Sequence, residues 1–311
     1  MNGLVDFNQY YAYEHGQWQA GQQIPQGANK LSLFNDKALA SQMSDFKQLL
    51  DAFQQTLIVC LEETSNGGTW SIYAESQVLE DFTELVTKSE FDFLIWPAPE
   101  AAAPRLILFD MDSTFIQIEV IDELARHHQV GEQVAKVTEA AMQGELDFSE
   151  SLISRVRCLQ GLNESAIEQI AARLPLSPGV DKLVASAQKN HCEIAIVSGG
   201  FMPFVEKLKQ DMSLYQVKAN QLEIADGMLT GAVLGDIVDA QAKADFLHQL
   251  CDELALNPSQ VMAVGDGAND LLMMKEAGMN LAYRAKPKVE QQAKGRMNYS
   301  QLDQLIEVFG W

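Results

Sequence analysis

Asp110-Met111-Asp112-Ser113-Thr114 follows the apolar run Arg105-Leu106-Ile107-Leu108-Phe109. The run reads as a buried strand, and two carboxylates just past it lie where open α/β sheets place their ligands. Such a pair can divide labour, one attacking or binding metal while the other handles a proton. Alone, D-x-D is a common turn pattern. A second acidic cluster gives it weight: Gly265-Asp266-Gly267-Ala268-Asn269-Asp270, after another apolar run, Gln260-Val261-Met262-Ala263-Val264.

Outward from these two runs, strand and helix patterns alternate. Strands are predicted over Arg105–Phe109, Glu193–Val197, Gln216–Ala219, Val261–Val264 and Asn280–Tyr283, with a helix over Ala240–Leu256. Alternation of this kind implies a Rossmann-like parallel sheet with helices on both faces. Leu222–Ala225 and Met228–Val233 flank Asp226-Gly227, a hairpin turn signal. From about Ile118 to Arg173 only helical periodicity is found, and the inserted segment is placed at about 118–178, with Pro175-Leu176-Ser177-Pro178-Gly179 returning the chain to the core. Ile121, Leu124, Ala125 and His128 share one face there, and Phe148, Leu152, Val156 and Leu159 another. Asp147 and Glu150 fit a capping box for a helix starting near Phe148. Inserted directly after D-x-D, this helical segment is expected to cap it.

Residues 1–96 differ in character. Gln42–Phe53 and Leu79–Thr87 read as helices, and Thr56–Leu61, Trp70–Ala74 and Phe91–Trp96 as strands. Ser65-Asn66-Gly67-Gly68 is a hairpin turn pattern. The three prolines in 97–104 mark a linker. The expected organisation is therefore a small N-terminal α/β domain (1–96), a linker (97–104) and a larger domain (105–311). The small domain carries no constellation of catalytic residue types; a regulatory, ACT-like role or a part in a homodimer are its two readings.

Composition narrows the partners. The 311 residues carry a formal net charge of −21, which argues against nucleic-acid and anionic-membrane partners. An anionic substrate would need positive charge supplied locally. No stretch approaches the length of a membrane span, and Met1-Asn2-Gly3-Leu4-Val5-Asp6 has no signal-peptide character. Cys60, Cys158, Cys192 and Cys251 are far apart, so free thiols in a cytoplasmic protein are expected. The five histidines show no metal-ligand spacing, and Met273-Met274 reads as core.

Two further pieces complete an ordered set. Val197-Ser198-Gly199-Gly200 ends a strand and leads into a helix, offering a hydroxyl and bare N–H groups to an anion. Lys243 lies near a helix start, where a cation opposes the helix dipole, a hint that it has another partner. The set D-M-D-S-T, S-G-G, Lys243 and G-D-G-A-N-D resembles the four motifs of the haloacid-dehalogenase-like (HAD) phosphatases. Glu119, Arg155-Val156-Arg157-Cys158-Leu159, Val197–Phe201, the Gly235–Ala240 segment and Ala285-Lys286-Pro287-Lys288 extend the likeness to the phosphoserine phosphatase branch, over residues 105–310.

The resemblance implies a mechanism. Asp110 would be the nucleophile, forming an aspartyl-phosphate, and Asp112 the general acid/base. Mg²⁺ would be held by the Asp110 side chain, the Asp112 carbonyl and Asp266, with Asp270 in support. Ser198, Gly199, Lys243 and Asn269 would hold the phosphoryl group. In the cap, Arg155 would grip the carboxylate and Glu119 the ammonium of O-phosphoserine; Phe148, on the apolar helix face, either closes over them or belongs to the core of the cap. The implied activity is hydrolysis of O-phospho-L-serine, the last step of serine biosynthesis. Phosphohomoserine phosphatase or phosphotransferase activity, and a non-catalytic sensor on the same fold, are the alternatives.

Overall fold

The computed structural model describes residues 6, 8–14, 17–34, 39–53, 55–64, 67–97 and 102–311. Met1–Val5, His15, the Ser65-Asn66 half of the proposed turn, and 98–101 of the proposed linker lie outside them.

The N-terminal strands are β1 (Tyr10–Glu14), β2 (Gln17–Ala20), β3 (Asn29–Phe34), β4 (Leu57–Thr64), β5 (Gly67–Ala74) and β6 (Asp92–Ile95). Two helices interrupt them, α1 (Leu39–Ala52) and α2 (Ser76–Val86). From β3 to β6 the order is strand–helix–strand–strand–helix–strand, paired antiparallel as β6-β3-β5-β4. That is the split βαβ, ferredoxin-like arrangement, with β1 and β2 added at the β4 edge. Phe46, Leu50, Leu79 and Phe82 bury one face of this sheet under the helices, and Phe46 stacks on Trp70 at 4.3 Å. β1, β2 and β3 escape the sequence reading.

The remainder opens with β7 (Leu106–Phe109). Four cap helices follow: α3 (Val120–His127), α4 (Gly131–Met142), α5 (Phe148–Arg157) and α6 (Ser165–Ala171). Then come α7 (Val180–Lys189), β8 (Glu193–Phe201), α8 (Met202–Met212), β9 (Gln216–Ala225), β10 (Met228–Leu234), α9 (Ala240–Leu254) and β11 (Val261–Gly265). The chain ends with α10 (Leu271–Glu276), β12 (Met279–Tyr283), α11 (Pro287–Glu290), β13 (Gly295–Met297) and α12 (Gln304–Phe309). Strands β9, β8, β7, β11, β12 and β13 are parallel neighbours in that order. Alternate residues face opposite layers. Ile107, Phe109, Ile194, Ile196, Met262 and Val264 pack in one apolar cluster. Leu106, Leu108, Ala195, Val197, Val261 and Ala263 pack in another, with Phe246, Leu247 and Leu250 of α9 and with Met273 and Met274. The chain leaves β7 for β8 on one side and returns to β11 on the other. The crevice beyond the carboxyl ends of these three strands is therefore a topological switch point.

Two sequence readings change. Gln216–Ala219 and Leu222–Ala225 are one strand, β9, because nothing between them breaks extended backbone; it runs from the parallel sheet out to the hairpin with β10. The Asp226-Gly227 turn closes that hairpin with both residues at positive φ, as a two-residue turn requires. β8 also continues past Val197 to Phe201, carrying Ser198–Gly200 as an irregularity within the strand. The capping box at α5 is formed: Glu150 N–H donates to Asp147 Oδ1 at 2.8 Å and Asp147 N–H to Glu150 Oε2 at 3.0 Å. No helix among the described residues is long and apolar enough to cross a membrane.

The N-terminal unit shares one continuous sheet with the rest of the chain, because β6 pairs antiparallel with β13. Two buried charges fasten this seam. The Arg296 guanidinium donates to the carbonyls of Thr87 at 2.9 Å and Phe91 at 2.7 Å, and more distantly to those of Val86 and Ser89. The Asp92 carboxylate accepts the backbone N–H groups of Asn298, Tyr299 and Ser300. On the far face of the small sheet, α12 brings Phe309 edge-on to Trp96 at 5.9 Å. Removing Arg296 takes a donor from the buried Phe91 carbonyl and from the Thr87 carbonyl after α2, while the Val86 carbonyl keeps the Ser89 N–H and hydroxyl. Arg296→Ala is expected to lose about 3 kcal/mol of stability in urea unfolding. Arg296→Lys should recover only part of it, since one ammonium cannot reproduce the planar fork.

Candidate active site

The turn after β7 is shaped by its own side chains. Asp112 is extended, and Ser113 adopts the left-handed conformation with φ +57°. This throws the Asp112 side chain back over the strand ends, where Oδ1 accepts the Val120 N–H at 2.8 Å. Ser113 Oγ donates to Glu119 Oε1 at 2.7 Å, fixing the carboxylate that begins the cap. Opposite, Ser198 Oγ accepts the Gly200 N–H at 2.8 Å and lies 3.4 Å from Asp112 Oδ2. Gly200 admits no side chain, because a Cβ there would stand 2.6 Å from Asp112 Oδ2.

Lys243 reaches the floor of the crevice from α9. It is fully buried, and its Nζ donates to Asp110 Oδ1 and to Asp270 Oδ1, both at 2.6 Å. Asp270 Oδ2 accepts the Gly267 N–H at 3.0 Å. Gly265 lets the Asp270 carboxylate lie across the end of β11, where a Cβ would come within 2.5 Å of it. Thr114 Oγ1 lies 3.4 Å from Asp266 Oδ1.

Above this floor is a cavity of about 150 Å³. Asp110, Asp112, Glu119, Phe148, Arg155, Gly199, Asp266 and Asn269 line it. Ser198, Lys243 and Asp270, the other residues selected from sequence, sit directly behind that lining. All eleven thus converge on one crevice. Phe148 projects from the first turn of α5 far enough that a Cβ on Gly199 would lie 2.8 Å from its ring. Glu119, the N-cap of α3, and Arg155, in the last turn of α5, bring opposite charges to the same cavity. Two residues quoted within the sequence motifs but given no role of their own belong here. Ser113 is the donor to Glu119, a role visible only once its left-handed backbone is known. Lys286 also lines the cavity; its position just after the last long parallel strand was the available signal.

The electrostatics follow from burying many carboxyls together. Desolvation raises the Asp110 carboxyl well above the usual range; Asp270 and Asp112 add to the shift and Lys243 opposes it. Lys243 keeps its proton more firmly than a free lysine, since the two carboxylates against it outweigh its burial. Asp112 is pushed up to about 8, by burial first and then by the Glu119 charge. Asp266 rises to about 6, by burial and then by Asp270 and Glu119, with Lys286 and Lys243 opposing. Burial lowers the Arg155 guanidinium's hold on its proton, and Glu119, Asp122 and Asp112 push back.

This donor set suits a hard divalent cation. Asp110, Asp266 and Asp270 offer carboxylate oxygens within 4.8 Å of one another, with no sulfur or imidazole among them. One ammonium between two of these carboxylates leaves the group negative. Asp270 already has each oxygen engaged, by Lys243 and by the Gly267 N–H. Asp110 has only Oδ1 committed to Lys243.

Comparison with known proteins agrees with this geometry. A family model for haloacid dehalogenase-like hydrolases matches residues 104–278. The chain is 48% identical over 205 residues to the phosphoserine phosphatase of Idiomarina loihiensis, covering 66% of this chain and 92% of that one. It is 44% identical over 233 residues to the phosphoserine phosphatase of Vibrio cholerae, covering 75% and 71%. Among solved structures, a HAD family hydrolase from Salmonella enterica serovar Typhi matches with a TM-score of 0.82 at 28% identity, over 91% of this chain and 99% of that one. With its strand order, its four motifs and these relatives in agreement, the chain belongs to the haloacid dehalogenase-like hydrolases.

Proposed function

We propose that this chain hydrolyses O-phospho-L-serine to L-serine and inorganic phosphate, through a phosphate ester on Asp110. The observation that carries the reading is one small cavity with two kinds of wall. Its floor is the Asp110, Lys243 and Ser198 cluster suited to a phosphoryl group. Its roof holds one cation and one anion, Arg155 and Glu119, suited to the carboxylate and ammonium of an amino acid.

In the first step Asp110 Oδ2, the oxygen not taken by Lys243, attacks phosphorus. The bond to the serine oxygen breaks, and that oxygen takes a proton from Asp112. A carboxyl pushed up to about 8 still holds its proton at neutral pH, which is what an acid in this position needs. In the second step Asp112, now ionised, takes a proton from water. The water oxygen bonds to phosphorus, the bond to Asp110 breaks, and phosphate leaves. Ser198, Gly199, Lys243 and Asn269 hold the equatorial oxygens while charge redistributes. Phe148 restricts water at the substrate side.

Mg²⁺ is the cation proposed here, as a hard, oxygen-liganded ion that shares its sphere with substrate phosphate. Asp110, Asp266 and the Asp112 carbonyl would hold it, with Asp270 bracing the group. Bound there, it supplies positive charge between the attacking carboxylate and the phosphate. The split at 97–104 and a regulatory or dimer-forming role for residues 1–96 belong to the same proposal; the β6–β13 seam supports a unit that is fixed, not swinging, on the phosphatase body.

Steady-state kinetics test the substrate assignment. O-phosphoserine should be preferred over O-phosphothreonine and phosphohomoserine in kcat/KM. Asp110→Asn should abolish turnover with the thermal midpoint preserved, and residual turnover would remove Asp110 from the nucleophile's place. Arg155→Met should raise KM for O-phosphoserine about tenfold or more, from loss of a charge-assisted pair, and leave p-nitrophenyl phosphate hydrolysis little changed.

Titration provides a second check. In the metal-free protein, carboxyl NMR should find Asp112 titrating near 8, and Glu119→Gln should move it down by removing a neighbouring negative charge. Carboxyls with raised folded pKa contribute stability at low pH that is lost as the pH rises through those values. For Asp266 and Asp112 the window runs through about 6 and about 8. The cation binds the ionised forms, so Mg²⁺ should raise the thermal midpoint more above this window than below it. Chelation should abolish activity at either end.

A further inference from the structure

Strands β8 and β9 pair in register at Val197 opposite Lys218, and again at Phe201 opposite Asn220. Between these points β8 has three residues while β9 has one. Ser198, Gly199 and Gly200 therefore bulge out of the ladder, and the backbone groups they present are lost to sheet pairing. A carbonyl orphaned inside a protein needs another partner. For Gly199 that partner is the side chain of Asn220: its Nδ2 donates to the Gly199 carbonyl at 2.9 Å. The same amide works in the other direction, with Oδ1 accepting the Val238 N–H at 2.8 Å. Both Asn220 and Val238 are buried.

Val238 stands at the entry to the lysine helix. Asp239 follows as its N-cap, accepting the Ala242 N–H at 2.9 Å, and Lys243 N–H donates to the Asp239 carbonyl at 3.0 Å. One buried amide thus joins the bulge that carries Ser198 and Gly199 to the first turn that carries Lys243. We propose that Asn220 is a positioning residue that fixes the two halves of the phosphoryl cradle relative to each other. This rests on the assignment of Ser198, Gly199 and Lys243 to the phosphoryl group. Asparagine is suited to the post because it offers one donor and one acceptor on a planar fork. Leucine offers neither. An ionised aspartate offers two acceptors and would repel the Gly199 carbonyl. A protonated aspartate again offers one donor and one acceptor.

The experiment uses the full-length, Mg²⁺-loaded enzyme with Asn220→Leu and Asn220→Asp, assayed on both O-phosphoserine and p-nitrophenyl phosphate. Asn220→Leu should lose about a hundredfold in kcat/KM on both substrates, mostly in kcat, as expected of ångström-scale misplacement. It should also weaken inhibition by orthovanadate. Asn220→Asp should regain activity relative to the parent enzyme as the pH falls and its carboxyl protonates. Each activity is normalised to the parent at the same pH, so that ionisations common to both proteins divide out. An Asp-to-parent ratio independent of pH overturns the proposal, whether or not the leucine variant folds. Parent-like kcat and vanadate inhibition in a folded Asn220→Leu overturn it equally. If the parent cleaves p-nitrophenyl phosphate but not O-phosphoserine, the substrate reading falls while Asn220 is still judged on p-nitrophenyl phosphate.

Discussion

A fully buried ammonium shared by two carboxylates organises the catalytic end of this protein. Lys243 from α9 contacts Asp110 at the end of β7 and Asp270 beyond β11. Removing a lysine charge from water costs several kcal/mol, and only close, well-aligned partners offset it. The arrangement therefore holds together three segments far apart in the chain, and it does so with one carboxylate oxygen of Asp110 still uncommitted. The same packing leaves surplus negative charge. Asp112 and Asp266 rise in pKa because burial and like charges surround them. A site of this kind is poised to take up a cation, and then an anion through it.

Net charge sharpens this point. The chain carries −21 overall, so an anionic substrate meets an unfavourable field until it reaches the crevice. Lys243 is already spent on its two carboxylates. Of the cations lining the cavity, Arg155 approaches from the cap and Lys286 from the core rim. In the proposed reaction, a grip of Arg155 on the substrate's own carboxylate would make a charge contribution as well as a geometric one. Glu119, held by Ser113, sets a negative charge in the same roof.

The parallel core, the cap and the gathering of the four motifs were legible because their signals are local and strong. Apolar runs end in small or acidic residues at each strand's carboxyl end, and a capping box marks the start of α5. Lys243 gave itself away by opposing the dipole of its own helix. Of the N-terminal strands, β3 was hidden for a physical reason. β3 carries Lys30 and Ser32, which look solvent-facing in sequence. In the fold Lys30 stands over Trp96 and pairs with Glu62, and Ser32 is buried as acceptor for the Trp96 indole N–H. β13 is only three residues long, and its arginine is buried against carbonyls that no local pattern could reveal. The bulge in β8 was invisible for a similar reason: its compensation lies on the neighbouring strand.

Strand β9 connects what the chemistry needs to keep in step. Near its middle, Asn220 holds the bulge behind Ser198 and the entry to α9. At its far end, the hairpin with β10 grips the cap: the N–H groups of Gly161 and Glu164 donate to the carbonyls of Leu229 and Gly227, and the Leu229 N–H donates to the Leu162 carbonyl. Gly231 lets the hairpin lie directly on α5, since a Cβ there would stand 3.3 Å from the Arg157 backbone. Arg155 sits only two residues before that contact. Floor and roof of the cavity are therefore referenced to one strand, while the opposite edge of the sheet is locked to the N-terminal unit through Arg296 and Asp92.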